Sequence, residues 1–196
     1  MRTTRAGLDY EIIVQAAAEL ADHSGLQNLS MASLAAQLGV QAPTLYHYVA
    51  GLTGLRRALT LRGLSEVSAT LGQSVMGKAG DDAVLALVHT MRTFAKKHPG
   101  LYEAVQRSPD PEDAEWQALG REVVEIMLRA LSAYKLSPAD ARHAIRMIRI
   151  IVDGCVSLEN VGGFGTLEEV DETLRRLLVS LLHYLRENHS ELGDMG

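Results

Sequence analysis

The chain has 196 residues, 47% of them hydrophobic and 22% charged, with a formal net charge of −5. That length supports one or two packed domains, and the acidic balance argues against a protein that simply coats nucleic acid. Cys155 is the only cysteine, so an intramolecular disulfide is excluded and a reducing compartment is the natural reading.

The charge is unevenly spread. Residues 1–63 carry five arginines and four acids, a net +1, whereas the remainder carries 14 basic and 20 acidic residues, a net −6. A nucleic-acid contact therefore belongs at the N-terminal end. The start lacks the charged region followed by an apolar run that marks a secretory signal. The most apolar stretches, such as residues 145–152, are cut by Arg146 and Arg149 and fall short of the ~20 residues a spanning helix needs. A cytoplasmic protein with no membrane partner is expected.

In chain order, residues 1–8 form a short arm with Arg2 and Arg5. Such an arm either enters a minor groove or stays solvated. From Asp9, a capping residue, Ile12, Ile13, Ala16, Ala17, Leu20 and Ala21 recur at helical spacing until Gly25. Ser30 then caps a helix carrying Leu34, Ala35 and Leu38, and Gly39 stops it. Val40 packs the turn, and Pro43 suits the first turn of a second short helix. Leu45 points inward there. Gln41, Ala42, Thr44, Tyr46, His47 and Tyr48 are left outside, which is the layout of a helix-turn-helix with its reading helix exposed. Glutamine can pair with adenine, and Ala42 or Thr44 can meet a thymine methyl.

A long helix begins near Leu52, with Arg56, Arg57 and Arg62 on its first turns, and weakens at Gly72 and Gly77. The next helix, from Asp81 or Asp82, carries Met91 and Phe94 and ends near Lys96–Gly100. Residues 101–106 make a short helix, and a start signal at Asp110-Pro111 opens one that carries Trp116, Val123 and Met127. Ser137-Pro138 caps a helix running to about Val161. Thr166 and Glu169 form a capping box for the last helix, whose stripe includes Leu174, Leu178, Leu181 and Leu185. No strand pattern, repeat or low-complexity tract occurs.

Two functions are expected of this helical half. Met91, Phe94, Tyr102, Trp116, Val123, Met127, Met147 and Ile148 are candidates for a ligand cavity, since large flexible side chains on several helices suit one; plain core is the other reading. Ile151, Cys155 and Leu158, with the Leu174–Leu185 stripe, are candidates for a four-helix dimer interface, unless both stripes are buried within one subunit. Arg142, Arg146, Arg149 and Asp153 share a charged stripe, read as solvated or inter-subunit. Cys155 is read as a small buried hydrophobe. No metal-ligand spacing, phosphate loop or nucleophile motif occurs, so neither a metal, a cofactor nor an enzymatic activity is expected.

The N-terminal part resembles the tetracycline-repressor-like (TetR) family of bacterial regulators over roughly Ile12 to Leu61. The carriers are Ala16–Leu20, Gly25-Leu26, Leu34–Val40, Thr44-Leu45-Tyr46-His47-Tyr48-Val49 and Leu55. Lys97–Tyr102 and Val152–Glu159, followed by Gly162-Gly163-Phe164, resemble the His-Gly-type (WHG) ligand-domain subgroup, with Asp153 where that signature has histidine. The resemblance implies an all-α fold with a three-helix helix-turn-helix DNA-binding domain at 1–50. A helical effector-binding and dimerisation domain follows at 51–196, joined through the helix from Leu52. It implies a homodimeric repressor released from a palindromic double-stranded operator by a small, largely apolar effector. The alternatives are a regulator acting through a protein partner and, from another class, a helical enzyme. Arg2, Arg5, Ser30, Gln41, Ala42, Pro43, Thr44, Tyr46, His47, Tyr48 and Arg56 are then the expected DNA contacts.

Many members of that family place a phosphate-binding lysine where this chain has Leu52, and residues 1–63 contain no lysine. Leu52→Lys is expected to tighten operator binding and to steepen the dependence of affinity on salt by about one charge. Titrations at several salt concentrations check this, and an unchanged slope removes Leu52 from the interface.

Overall fold

A computed structural model of the chain describes residues 8–106, 110–162 and 166–187. Arg2, Arg5 and the glycine-rich stretch 163–165 lie outside the described residues. Among the described residues all regular structure is helical: α1 Tyr10–Ser24, α2 Met31–Leu38, α3 Ala42–Leu45, α4 Gly51–Val75, α5 Gly80–Lys97, α6 Pro99–Val105, α7 Ala114–Leu131, α8 Pro138–Val161 and α9 Leu167–Glu187. None of these helices is long and apolar enough to cross a membrane.

The caps sit where the sequence places them. The Asp9 carboxylate accepts the Ile12 amide at 2.8 Å, and Ser137 Oγ accepts the Asp140 amide at 3.1 Å. Ser30 and Ser33 exchange side-chain and backbone bonds at the start of α2, so serine fills the position a glutamate usually takes in a capping box. Gly39 ends α2 at φ +67, a left-handed conformation that costs glycine little. Two starts differ from the sequence reading. Asp110 closes a turn onto the Glu112 amide, and Asp113 caps α7 instead, through the Trp116 amide at 3.1 Å. The short helix α6 begins at Pro99, not Leu101.

The chain divides into two compact units, Met1–Glu66 with Lys97–Leu119, and Val67–Lys96 with Gly120–Gly196. The unit holding the helix-turn-helix is thus larger than the 1–50 segment expected, because α6 and the first half of α4 complete its core. Helix α1 packs against both α2 and α6. Ile13, Ala17 and Ala21 of α1 are 0% exposed, as are Leu34, Leu45, Leu55 and Leu59.

Three features tie α6 down. The Asp22 carboxylate of α1 accepts the amides of Gly100 and Leu101 at 2.8 and 3.2 Å and meets His98 Nδ1 at 3.0 Å. An acid from one helix thereby caps another, satisfying first-turn amides that α6 cannot pair itself. The buried Thr60 hydroxyl of α4 donates to the carbonyls of Arg56 and Ala104. Gly100 lies so close to α1 that a Cβ there would stand 2.3 Å from the Ala21 carbonyl carbon.

In the second unit α8 and α9 pack on each other. Arg92 of α5 donates to Glu159 of α8 and to Asp171 of α9, the latter at 2.5 Å, and Lys96 Nζ stands 3.4 Å from Glu159. The Glu159 side chain is only 4% exposed, so its charge requires these partners.

The stripe Leu174, Leu178, Leu181 and Leu185, expected to meet a second subunit, is 0–3% exposed within this unit. One chain therefore already consumes it: the face is needed for the subunit's own core. What α8 and α9 leave outside is different, namely Ile150 (70%), Leu177 (42%) and Val179 (57%).

Gly100→Ala is expected to lower stability by about 2–3 kcal/mol, because the obstacle is backbone and cannot rotate away. Chemical denaturation measures it. A loss below ~0.5 kcal/mol would show that α6 shifts off α1 without cost.

Candidate DNA interface

The interface is built on two buried anchors. Leu45 is 0% exposed and Val49 6%, and they bracket three successive residues that the core does not use. Tyr46 and Tyr48 are 59% and 39% exposed, and His47 is exposed as well. Helix α3 itself is only four residues long, with Pro43 in its first turn. The chain then continues as turns, the His47, Tyr48 and Val49 amides bonding back to Thr44 and Leu45. Gln41 and Pro43 are exposed and Ala42 and Thr44 half-buried. Seven expected contacts, Gln41 to Thr44 and Tyr46 to Tyr48, thus share one short projection with amide, hydroxyl, imidazole and phenol groups.

Ser30 sits differently. It is half-buried and its hydroxyl is engaged by Ser33, so its first role is to cap α2. Arg57, one of the arginines available for phosphate, is already committed. Its Nε donates to Asp113 at 2.5 Å, and Nη2 donates to Asp113 and Glu115 at 2.8 Å each. Hydrogen bonds from Arg57, then from the Trp116 amide, hold the Asp113 carboxyl down at about 2. Arg62 is spent on Glu66 and Gln15. Arg56 is half-buried, and its Nε has no partner among the described residues. Of the three arginines of α4 it is the one without a carboxylate partner among the described residues.

Of the expected ligand residues, Tyr102 and Trp116 belong to the first unit, and Met91, Phe94, Val123, Met127, Met147 and Ile148 belong to the second. Met91, Phe94, Met127 and Ile148 are 0–7% exposed, as core residues are. A cleft of about 290 Å³ in the second unit is lined by Gly72, Val75, Lys78, Ile126, Arg129 and Ala130, none of them in the expected set. Periodicity could not find it, since two of the six are charged and one is glycine. Cys155 is buried, and burial pushes its thiol above the ordinary range, which makes it unreactive near neutral pH. Among the described residues no three His, Cys, Asp or Glu side chains converge on a metal position.

A capped helix, a glycine turn and a short exposed helix on a helical support define a helix-turn-helix DNA-binding protein. Residues 13–59 match the bacterial regulatory proteins of the tetR family, and residues 84–181 match the tetracyclin repressor-like C-terminal domain. The chain is 32% identical over 190 residues to the HTH-type transcriptional regulator YobS of Bacillus subtilis, covering 96% of this chain and 98% of that one. It is 34% identical over 167 residues to the HTH-type transcriptional regulator Rv0681 of Mycobacterium tuberculosis, covering 85% and 75%. In fold it is similar to a TetR variant from Acinetobacter baumannii AYE in complex with minocycline, with a TM-score of 0.72 and 23% identity over 94% of this chain and all of that one. The chain belongs to the TetR family and is a DNA-binding transcriptional regulator, not an enzyme.

The Arg57–Asp113 pair has a definite pH signature. A carboxyl held at about 2 stabilises the fold fully above its unfolded value near 4, and that contribution fades as pH falls towards 2. In Arg57→Gln the Asp113 carboxyl resonance should titrate near the ordinary aspartate value, and the pH dependence between about 4 and 2 should flatten. Carbon-13 titration of both proteins decides it; identical Asp113 curves would show that Arg57 does not hold the acid.

Proposed function

We propose that this regulator is a cytoplasmic homodimeric repressor that leaves a palindromic operator when a small-molecule effector binds its helical domain. The observation that carries the DNA half of this reading is the exposure of Tyr46, His47 and Tyr48 between the buried Leu45 and Val49. Exposed aromatics on so short a projection gain nothing for the core. They are placed to reach base edges and phosphates in a major groove, with Gln41, Ala42 and Thr44 reading bases and the hydroxyls and Arg56 holding the backbone.

Dimerisation is supported by what α8 and α9 leave uncovered. Ile150, Leu177 and Val179 are exposed, and Ile151 and Leu158 half-buried. A second copy packed on this surface covers it and fixes two reading helices about one DNA turn apart. Effector control then follows from linkage. Effector and operator favour different separations of those helices, so each weakens the other by the same factor, with a coupling of ~1–3 kcal/mol.

Selection of bound fragments from the source genome at low salt should recover a palindromic site, beginning with the promoter beside the gene; recovery of none defeats the proposal. Tyr46→Ala and His47→Ala should each weaken that site about tenfold with the melting temperature unchanged. Leu177→Asp combined with Ile150→Asp should yield monomers by sedimentation and lose high affinity. A variant that stays dimeric would move the interface elsewhere.

A further inference from the structure

The cleft between α4 and α7 has a composition that suits one kind of ligand. Its apolar wall is Val75, Ile126 and Ala130, and its cations are Lys78 and Arg129. Lys78 gives one of its three ammonium protons to the Ser74 carbonyl, 2.5 Å away. Arg129 is exposed and has no ion pair among the described residues. The acid that follows closely in the chain, Asp81, is already taken by the Tyr134 hydroxyl at 2.7 Å and by Arg186.

A cation at each helix end has a structural explanation, because both positions offset the negative end of a helix dipole. The glycine between them does not. Gly72 lies inside α4, where glycine is less favourable than alanine. A Cβ there would meet Ile126 Cδ1 at 3.8 Å, an ordinary contact. Packing therefore permits alanine and helix propensity prefers it, and the glycine leaves that part of the cleft wall without a side chain.

We propose that this cleft binds a small amphipathic carboxylate, its chain against Val75, Ile126 and Ala130 and its carboxylate between Lys78 and Arg129. A volume of about 290 Å³ suits a molecule of on the order of ten non-hydrogen atoms. The site stands on its own residues; its link to DNA release rests on the effector reading above.

Octanoate is the probe, with octan-1-ol and octylamine as controls of the same length, each titrated into the full chain by calorimetry while the Ile126 δ1 methyl is followed by NMR. Octanoate should bind and shift that methyl. Octan-1-ol should bind at least tenfold more weakly, and octylamine should not bind. Arg129→Gln and Lys78→Gln, both on exposed side chains, should each weaken octanoate about tenfold, the loss of one charge-assisted bond. Gly72→Ala should raise the melting temperature, and Gly72→Leu should abolish binding. No octanoate binding, binding that leaves the Ile126 methyl unmoved, or an affinity in both charge variants equal to that of the unaltered chain overturns the site. Octanoate bound in the cleft with operator affinity unchanged overturns its part in DNA release and leaves the binding site in place.

Discussion

Helix α1 is the member on which the DNA-binding unit depends, because two other helices pack on it. It contacts both α2 and α6, and its buried positions are largely alanine: Ala16, Ala17, Ala18 and Ala21. Small side chains let neighbouring backbones approach, and the approach is closest at Gly100. Dispersion gained at such a contact falls steeply with separation, so the geometry is narrow. Asp22 then fixes what van der Waals contact alone would leave free to slide, since a carboxylate bonded to two amides of α6 sets both position and rotation. The exposed reading residues are only as well placed as this hidden contact allows.

Electrostatics in the same unit divides its arginines between fold and DNA. Three arginines lie on α4, and two of them, Arg57 and Arg62, are spent on carboxylates and an amide of the unit itself. That leaves few charges for phosphate, and the slope of affinity against salt counts neutralised phosphates. Under the proposed reading, in which Arg56, tyrosine hydroxyls and amides hold phosphate, the slope is shallow and more of the affinity comes from close contact. Two copies acting together would double each of those contacts without adding a charge to either chain.

What was legible in the sequence was local. Asp9, Ser30, Gly39, Ser137 and Thr166 each act on residues within a few positions, so their roles follow from short-range chemistry alone, and the helix-turn-helix with Leu45 inside and Tyr46 to Tyr48 outside followed from spacing. What was hidden was long-range. Asp22 caps a helix that begins 77 positions later, and its carboxylate looks like any other solvated acid on α1. Gly100 resembles a helix stop in sequence and is a packing contact in space. The leucine stripe of α9 shows that a face must be buried without saying by what, and within the single chain it is buried already. The cleft of the second unit was hidden for a related reason. Large apolar side chains mark volume that is filled, whereas the lining of this cleft includes a glycine and two cations.

Helix α4 carries the consequence of these two points. It is continuous from Gly51 to Val75, and the boundary between the compact units falls inside it, after Glu66. Its first half holds Leu55, Leu59 and Thr60 in the core that positions the reading helix, and its last turns form one wall of the cleft at Gly72 and Val75. Coupling between two sites requires an element whose equilibrium both of them bias. Covalent continuity makes α4 the element on which such a bias is to be sought, and Gly72, less favourable in a helix than alanine, lies on its wall of the cleft.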